Sequence, residues 1–179
     1  MIYRQFWGMK HYYCILLILI AFNIDRLSAQ SFGLQAGLGA IPSQYFALEY
    51  RALSNSNIYL VSKVFGEFGA KYALQYSAYG LDLMGEYSSN SLLNTDSRFS
   101  FRLGLGLTSQ LEFDPWIYSG WSFSKRLQYG ISGQTAIEWS MSDVFGMYGF
   151  AQQKLFFHRN LGTSHFLFGL GLVFHLPND

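Results

Sequence analysis

The chain has 179 residues, of which 12 are Lys or Arg and 11 are Asp or Glu, and its formal net charge at pH 7 is +1. This balance gives no reason to expect direct nucleic-acid binding, and a single cysteine excludes an internal disulfide framework or a thiolate metal site. Aromatic residues make up 19 % of the chain and charged residues 13 %, against a usual charged share of about 25 %.

The first 29 residues have the pattern of a secretory signal peptide. Arg4 and Lys10 precede an apolar run over residues 14–22, and a small-residue cleavage site ends at Ala29. The run is shorter than the roughly 20 apolar residues that span a bilayer. We therefore predict cleavage after Ala29, export from the cytoplasm, and one mature domain over residues 30–179. An uncleaved interfacial anchor is the alternative.

Beyond the signal peptide, bulky apolar residues alternate with small or polar residues at a period of two, which is the pattern of β-strands with two different faces. The alternation occurs in eight segments, which are residues 32–40, 44–52, 58–68, 73–87, 98–108, 127–139, 144–153 and 166–175. In the seventh segment, Val144, Tyr148 and Phe150 share one face. No apolar run after the signal peptide is long enough for a transmembrane helix.

The last segment indicates what kind of sheet these strands form. Phe166, Phe168 and Leu170 stand on one face, whereas Gly169 and Gly171 stand on the other. Glycine has little use on the water-facing side of a strand, but small residues suit a narrow barrel interior. We therefore predict an all-β fold, an eight-stranded antiparallel up-and-down transmembrane β-barrel surrounded by outer-membrane lipid. A small soluble binding barrel, which has the opposite polarity, is the alternative.

With both termini in the periplasm, the connections of an eight-stranded barrel alternate between the two sides of the membrane. The predicted inner turns are residues 54–57, 88–97 and 140–143, and the predicted outer loops are residues 41–43, 69–72, 111–124 and 155–163. Short inner turns and longer outer loops are typical of such barrels. Residues 88–97 are long for an inner turn, and residues 41–43 are short for an outer loop.

Charged residues on the small-residue face form the candidate site. Asp82 and Glu86 in the fourth segment share the lumenal face with Arg98 and Arg102 in the fifth. Antiparallel neighbours would bring these residues together as ion pairs. The full predicted network is Lys63, Glu67, Asp82, Glu86, Arg98, Arg102 and Glu138. Because an unpaired buried charge is costly, we interpret the network as structural; a polar path or a small-ligand site is the second interpretation.

The residue types that carry catalysis or bind metal ions show no matching arrangement. His165 and His175 lie at opposite ends of one predicted strand, so they do not share a metal ion. Ser164 and His165 are neighbours on a strand and point to opposite faces, so they do not form a nucleophile–base pair. We predict no catalytic residue, no cofactor and no metal. A membrane-embedded lipid-modifying enzyme stays as an alternative, because other serine–histidine pairs are open.

An aromatic cluster marks the longest predicted outer loop. It consists of Phe113, Trp116, Ile117, Tyr118, Trp121 and Phe123. The first interpretation is an aromatic belt at the membrane interface. Exposed aromatic side chains also anchor protein partners, so Trp116, Tyr118 and Trp121 are candidates for a partner-facing surface.

From Trp139 onward the sequence resembles the conjugative transposon TraO family of Bacteroidetes. The matching pieces are Ser142-Asp143, Gln152-Gln153-Lys154, residues 161–166 and residues 168–174, and the segments near 79–87 and 99–107 are also similar. The resemblance implies a small outer-membrane barrel that is a structural, non-catalytic component of an apparatus for conjugative DNA transfer. It implies other proteins of that apparatus as partners and requires no contact with DNA.

Overall fold

A computed structural model of the chain describes residues 28–40, 42–55, 57–71, 74–89, 98–113, 127–157 and 164–176. The strands are β1 (Ser28–Gly39), β2 (Ser43–Asn55), β3 (Ile58–Lys71), β4 (Leu74–Ser89), β5 (Phe99–Phe113), β6 (Leu127–Ser140), β7 (Phe145–Phe156) and β8 (Ser164–His175). Each strand pairs with the next in antiparallel orientation, and β8 pairs with β1, so the sheet is a closed barrel. This confirms the predicted fold class. No helix in the described residues is long and apolar enough to cross a membrane.

Of the predicted signal peptide, only Ser28 and Ala29 belong to the described residues, and they begin β1. Cleavage after Ala29 stays a prediction.

The two faces of the barrel wall have opposite polarity. Every charged side chain that the structure describes inside a strand is buried in the lumen: Glu49, Arg51, Lys63, Glu67, Asp82, Glu86, Arg102, Glu112, Glu138 and Lys154. The outward side chains are mostly large and apolar, and Leu105, Leu107 and Leu170 are each at least 64 % exposed. A soluble barrel would reverse this arrangement. The exterior is therefore a lipid-facing surface, and the soluble alternative is excluded.

Aromatic side chains ring the exterior at two heights. Near the lower end of the barrel, where β1 begins and β8 ends, the ring pairs are Phe32–Tyr50, Phe99–Trp139 and Phe145–Phe174. Near the upper end they are Phe68–Tyr79, Tyr79–Phe113 and Tyr129–Phe157. Trp139 and Tyr129 stand at opposite ends of β6. The strand between them rises about 26 Å at the usual tilt of about 40°, which matches the apolar band of about 25 Å in outer-membrane barrels.

Several strands are longer than the alternation predicts. Leu111, Glu112 and Phe113 belong to β5 and not to the following loop, because Glu112 faces the lumen and Phe113 packs edge-on against Tyr79. The other predicted connection residues that lie in strands are residues 54–55, 69–71, 88–89, 140 and 155–156, together with Ser43. Antiparallel pairing continues through all of these residues, so each strand extends to the end of its pairing with a neighbouring strand.

The face predicted for the seventh segment was wrong in one respect. Tyr148 and Phe150 point into the lumen and are 2 % and 5 % exposed, whereas Val144 is 52 % exposed. The strand begins only at Phe145, so Val144 lies in the turn and does not follow the alternation. Bulky aromatic side chains therefore occupy the lumen as well as the exterior.

Lumenal glycines make room for these inward rings. Tyr148 pairs across the ladder with Gly171, and Phe65 pairs with Gly80. A Cβ atom at Gly171 would lie 2.2 Å from Cζ of Tyr148, and one at Gly80 would lie 2.4 Å from Cζ of Phe65. The predicted small-residue face is thus present, and its glycines serve close packing as well as a narrow lumen.

Replacing Gly171 with alanine is expected to lower the free energy of unfolding by about 1–3 kcal/mol, the usual cost of overpacking. The Tyr148 ring does not move away freely, because Arg102 stacks on it at 4.5 Å and its hydroxyl donates to Glu49 at 3.4 Å. Urea unfolding in detergent micelles, followed by tryptophan fluorescence, measures the change.

The matched control for this substitution is Gly85→Ala. Gly85 is exposed, and a Cβ atom there would meet nothing within 4 Å, so alanine should be neutral or slightly stabilising. An equal loss of stability in the two variants would mean that the ring contact at Gly171 does not set the cost.

Candidate functional site

The strongest cluster of charges in the lumen is built around Arg102. This side chain is 0 % exposed. Its guanidinium binds Glu86 in a bidentate manner, with Nε–Oε1 at 2.8 Å and Nη2–Oε2 at 3.0 Å. It also donates to Glu49 at 2.7 Å and to Glu138 at 3.1 Å. Bidentate guanidinium–carboxylate contacts are among the strongest hydrogen bonds in proteins, so Arg102 links β2, β4, β5 and β6 across the lumen.

Two further cations complete the charge balance. Arg51 binds Glu86 at 2.8 Å and Glu138 at 3.2 Å. Lys63 lies 3.3 Å from Glu49 and donates to Gln134. Arg51, Lys63 and Arg102 therefore face the three carboxylates of Glu49, Glu86 and Glu138. Opposite charges in equal number suit a buried site, where an unmatched ion is costly.

Neutral and partly exposed groups extend this cluster to every strand. Gln35 donates to Glu49 at 2.7 Å, and Nε2 of His175 lies 3.3 Å from Glu138. We call the whole set the lower network: Gln35, Glu49, Arg51, Lys63, Glu86, Arg102, Gln134, Glu138, Tyr148 and His175. Each of the eight strands contributes at least one of these residues. The lower network therefore spans the full cross-section of the barrel.

A second layer lies on the side of the lower network away from the chain ends. Tyr45, Phe65 and Phe150 are 0–5 % exposed, and the ring of Tyr45 lies 5.7 Å from that of Phe65 and 6.1 Å from that of Phe150. Lys154 places Nζ 3.1 Å from the centre of the Phe65 ring and 3.0 Å from Oδ2 of Asp82. We call Tyr45, Phe65 and Phe150, with the Lys154–Asp82 pair, the aromatic layer.

A third cluster lies toward the upper end. Glu67 accepts a hydrogen bond from the Tyr76 hydroxyl at 2.7 Å, and Nδ1 of His165 lies 3.4 Å from its other oxygen. On the neighbouring wall, Gln110 donates to Gln128 at 3.1 Å. These groups are nearly fully buried. The lumen is thus divided into three clusters, each with its own hydrogen-bond partners.

The structure brings together only part of the predicted site. Lys63, Glu86, Arg102 and Glu138 belong to the lower network. Asp82 lies in the aromatic layer with Lys154, and Glu67 lies in the upper cluster with His165.

The expectation for Arg98 was wrong. Its side chain is exposed, because β5 begins at Phe99 and Arg98 precedes it in a turn. Its carbonyl oxygen accepts a hydrogen bond from the backbone N–H of Ser140 at 2.8 Å. The candidate partner-facing residues Trp116, Tyr118 and Trp121 lie outside the described residues.

Sequence reasoning left four important residues out of the network. Glu49 and Arg51 share the lumenal face of the second segment, and this shared face was a usable signal. Lys154 lay beyond the predicted end of the seventh strand, and Tyr148 was grouped with Val144. A later end of the seventh strand includes Lys154, and a start after Val144 separates Tyr148 from that residue.

The described residues offer little for catalysis or metal binding. No group of three or more His, Cys, Asp or Glu within them could hold a metal ion. His165 and His175 contact carboxylates and not serine hydroxyls. The arrangement of charges can hold the barrel together and fill its lumen.

No protein-family model matches the sequence, and no curated protein resembles it significantly. Solved structures do resemble its fold. Neisserial surface protein A is similar with a TM-score of 0.60 and 10 % identity, over 82 % of this chain and 94 % of that one. Pseudomonas aeruginosa OprG is similar with a TM-score of 0.58 and 9 % identity, over 84 % of this chain and 96 % of that one.

The N-terminal β-barrel domain of Pseudomonas aeruginosa OprF is also similar, with a TM-score of 0.56 and 10 % identity, over 84 % of this chain and 98 % of that one. At such low identity the likeness concerns the fold alone. That fold, together with the apolar exterior and its aromatic rings, places the protein in an outer membrane. The chain is an eight-stranded barrel of the outer-membrane type.

Proposed function

We propose that this protein is a non-enzymatic structural barrel that serves a conjugative DNA-transfer apparatus. The observation that carries the proposal is the resemblance of residues 139–174 to the TraO family. In the structure, the described parts of this stretch form the β6–β7 turn, β7 and β8. They make up one contiguous wall of the barrel, so the resemblance follows a structural unit.

The distribution of polar groups supports a structural role. The charged side chains described inside the strands are buried and make their contacts within the lumen. The exterior between the aromatic rings is apolar. A partner from the apparatus would therefore bind at an end of the barrel. The aromatic residues Trp116, Tyr118 and Trp121 are the candidates for that surface. No observation favours the lipid-modifying enzyme, since neither described histidine hydrogen-bonds a serine.

Deletion of the gene tests the proposal, in a strain where it lies on a mobile element. The transfer frequency of that element is expected to fall, and the wild-type gene supplied in trans is expected to restore it. A variant with Trp116→Ala, Tyr118→Ala and Trp121→Ala should insert in the outer membrane as the wild type does and fail to restore transfer. Normal transfer from the clean deletion would contradict the proposal.

A further inference from the structure

We infer that the lumen is closed at two separate levels, so that the protein does not act as a pore. An eight-stranded barrel is just wide enough for its interior to be filled by side chains. Whether a given barrel is closed therefore depends on how fully the inward residues meet in the centre.

The lower network is the first closure. Its contacts cross the lumen as well as following the wall: Arg102 on β5 reaches Glu49 on β2, and Arg51 on β2 reaches Glu138 on β6. The carboxylates of Glu49 and Glu138 also meet groups from β1, β7 and β8. An ion that crossed this level would have to separate several short ion pairs.

The aromatic layer is the second closure, and it works by a different physical means. The rings of Tyr45, Phe65 and Phe150 come from β2, β3 and β7, and Leu167 of β8 is packed in the same apolar cluster with 1 % exposure. An ion that enters this layer would lose water from its hydration shell. Apolar groups cannot replace the contacts that the lost water made with the ion. Lys154 stacks on Phe65 and binds Asp82 of β4, which extends the layer across the lumen.

The described parts of β5, β6 and β7 leave no bypass around these two levels. On β5, β6 and β7 the inward polar residues Thr108, Ser132, Gln134 and Gln152 are each 0–3 % exposed. A water-filled channel would leave such side chains accessible, as the polar interiors of porins are. Ions, solutes and nucleic acid are therefore kept out of this lumen, and the protein acts through its ends and its lipid-facing surface.

Conductance of the full chain in planar phospholipid bilayers tests the closure. One variant opens only the aromatic layer, Phe65→Ala with Phe150→Ala. A second opens only the lower network with its charge balance kept, Arg102→Ala with Glu86→Ala. The wild type and both double variants are expected to give no step-like current. The quadruple variant is expected to conduct and to prefer cations, because the buried carboxylates of the lumen outnumber its buried Arg and Lys residues, as they do in the wild type.

Each recording supports or overturns a part of the inference. Step-like current from the wild type would overturn the closure outright. Current from a double variant would overturn the claim that the layer left intact in that variant closes the lumen by itself. A quadruple variant that folds by circular dichroism and stays silent would overturn the assignment of the two layers.

If the quadruple variant does not fold, labelling of a single introduced cysteine tests the closure in a protein that is otherwise unchanged. Cys14 lies in the predicted signal peptide, so Ser132→Cys would be the one thiol of the mature protein. It is expected to resist a charged thiol reagent in vesicles and to react after unfolding. Asp143→Cys is the control; because Asp143 is exposed, this thiol should react at once. Rapid labelling of both positions would overturn the inference.

Discussion

Replacing Arg102 with methionine is expected to lower the free energy of unfolding by about 3–5 kcal/mol, the usual cost of removing one partner from a buried ion-pair cluster. Methionine preserves much of the side-chain volume but none of the donors. Glu86 then loses its bidentate partner, and Glu49 and Glu138 each lose a hydrogen bond. Arg51 and Lys63 would face three carboxylates alone. Urea unfolding in detergent micelles measures the loss.

The chain supplies a matched control for this substitution in Arg98→Met. Arg98 is also an arginine of the β5 region, but its side chain is exposed. Its replacement should change the stability by no more than about 0.5 kcal/mol. Adding Glu86→Ala to Arg102→Met should recover part of the loss, since it removes one of the unpaired carboxylates. An unchanged unfolding curve for Arg102→Met would show that the cluster is not a stabilising element.

The fold itself could be predicted from the sequence, because one physical rule produces its signal in every strand. Residues on a strand alternate between lipid and lumen, so bulky apolar residues such as Phe168 and Leu170 must fall at every second position. The same rule assigns Lys63, Glu86 and Arg102 to the lumen. Alternation thus fixes the face of a residue wherever the strand is continuous.

The grouping of the lumenal charges could not be predicted in the same way. Alternation gives the face of a residue but not its height, which depends on ladder register and on the stagger of the closed barrel. Asp82 pairs in the ladder with Thr108 and binds Lys154 from the far wall, while Glu86 meets Arg102. Arg98 fails for another reason, since it has the right parity but lies before its strand begins.

Replacing Leu105 with arginine is expected to cost about 2–4 kcal/mol of folding free energy in a bilayer, which is the penalty for a cation at mid-depth on the lipid face of a barrel. Leu105 is the best position for this test. It lies near the middle of β5, it is 70 % exposed, and its ladder partners are Gly85 and Gly133. Glycine neighbours offer an arginine no polar side chain, so the charge must meet lipid. Urea unfolding in phospholipid vesicles measures the cost.

The same substitution at Ile58 separates depth from a general effect of charge. Ile58 is 48 % exposed and begins β3 at the lower end of the barrel, where an arginine should cost only about 0–1 kcal/mol because it reaches the interface. In detergent micelles, which adapt around a charge more easily than a bilayer does, the gap between the two variants should narrow. Equal costs at both positions in vesicles would contradict the membrane depth that the two aromatic rings assign to the barrel. A large cost at Leu105 alone would show that the middle of β5 lies in hydrocarbon, because burial is not its cause at a position that is 70 % exposed in the isolated protein.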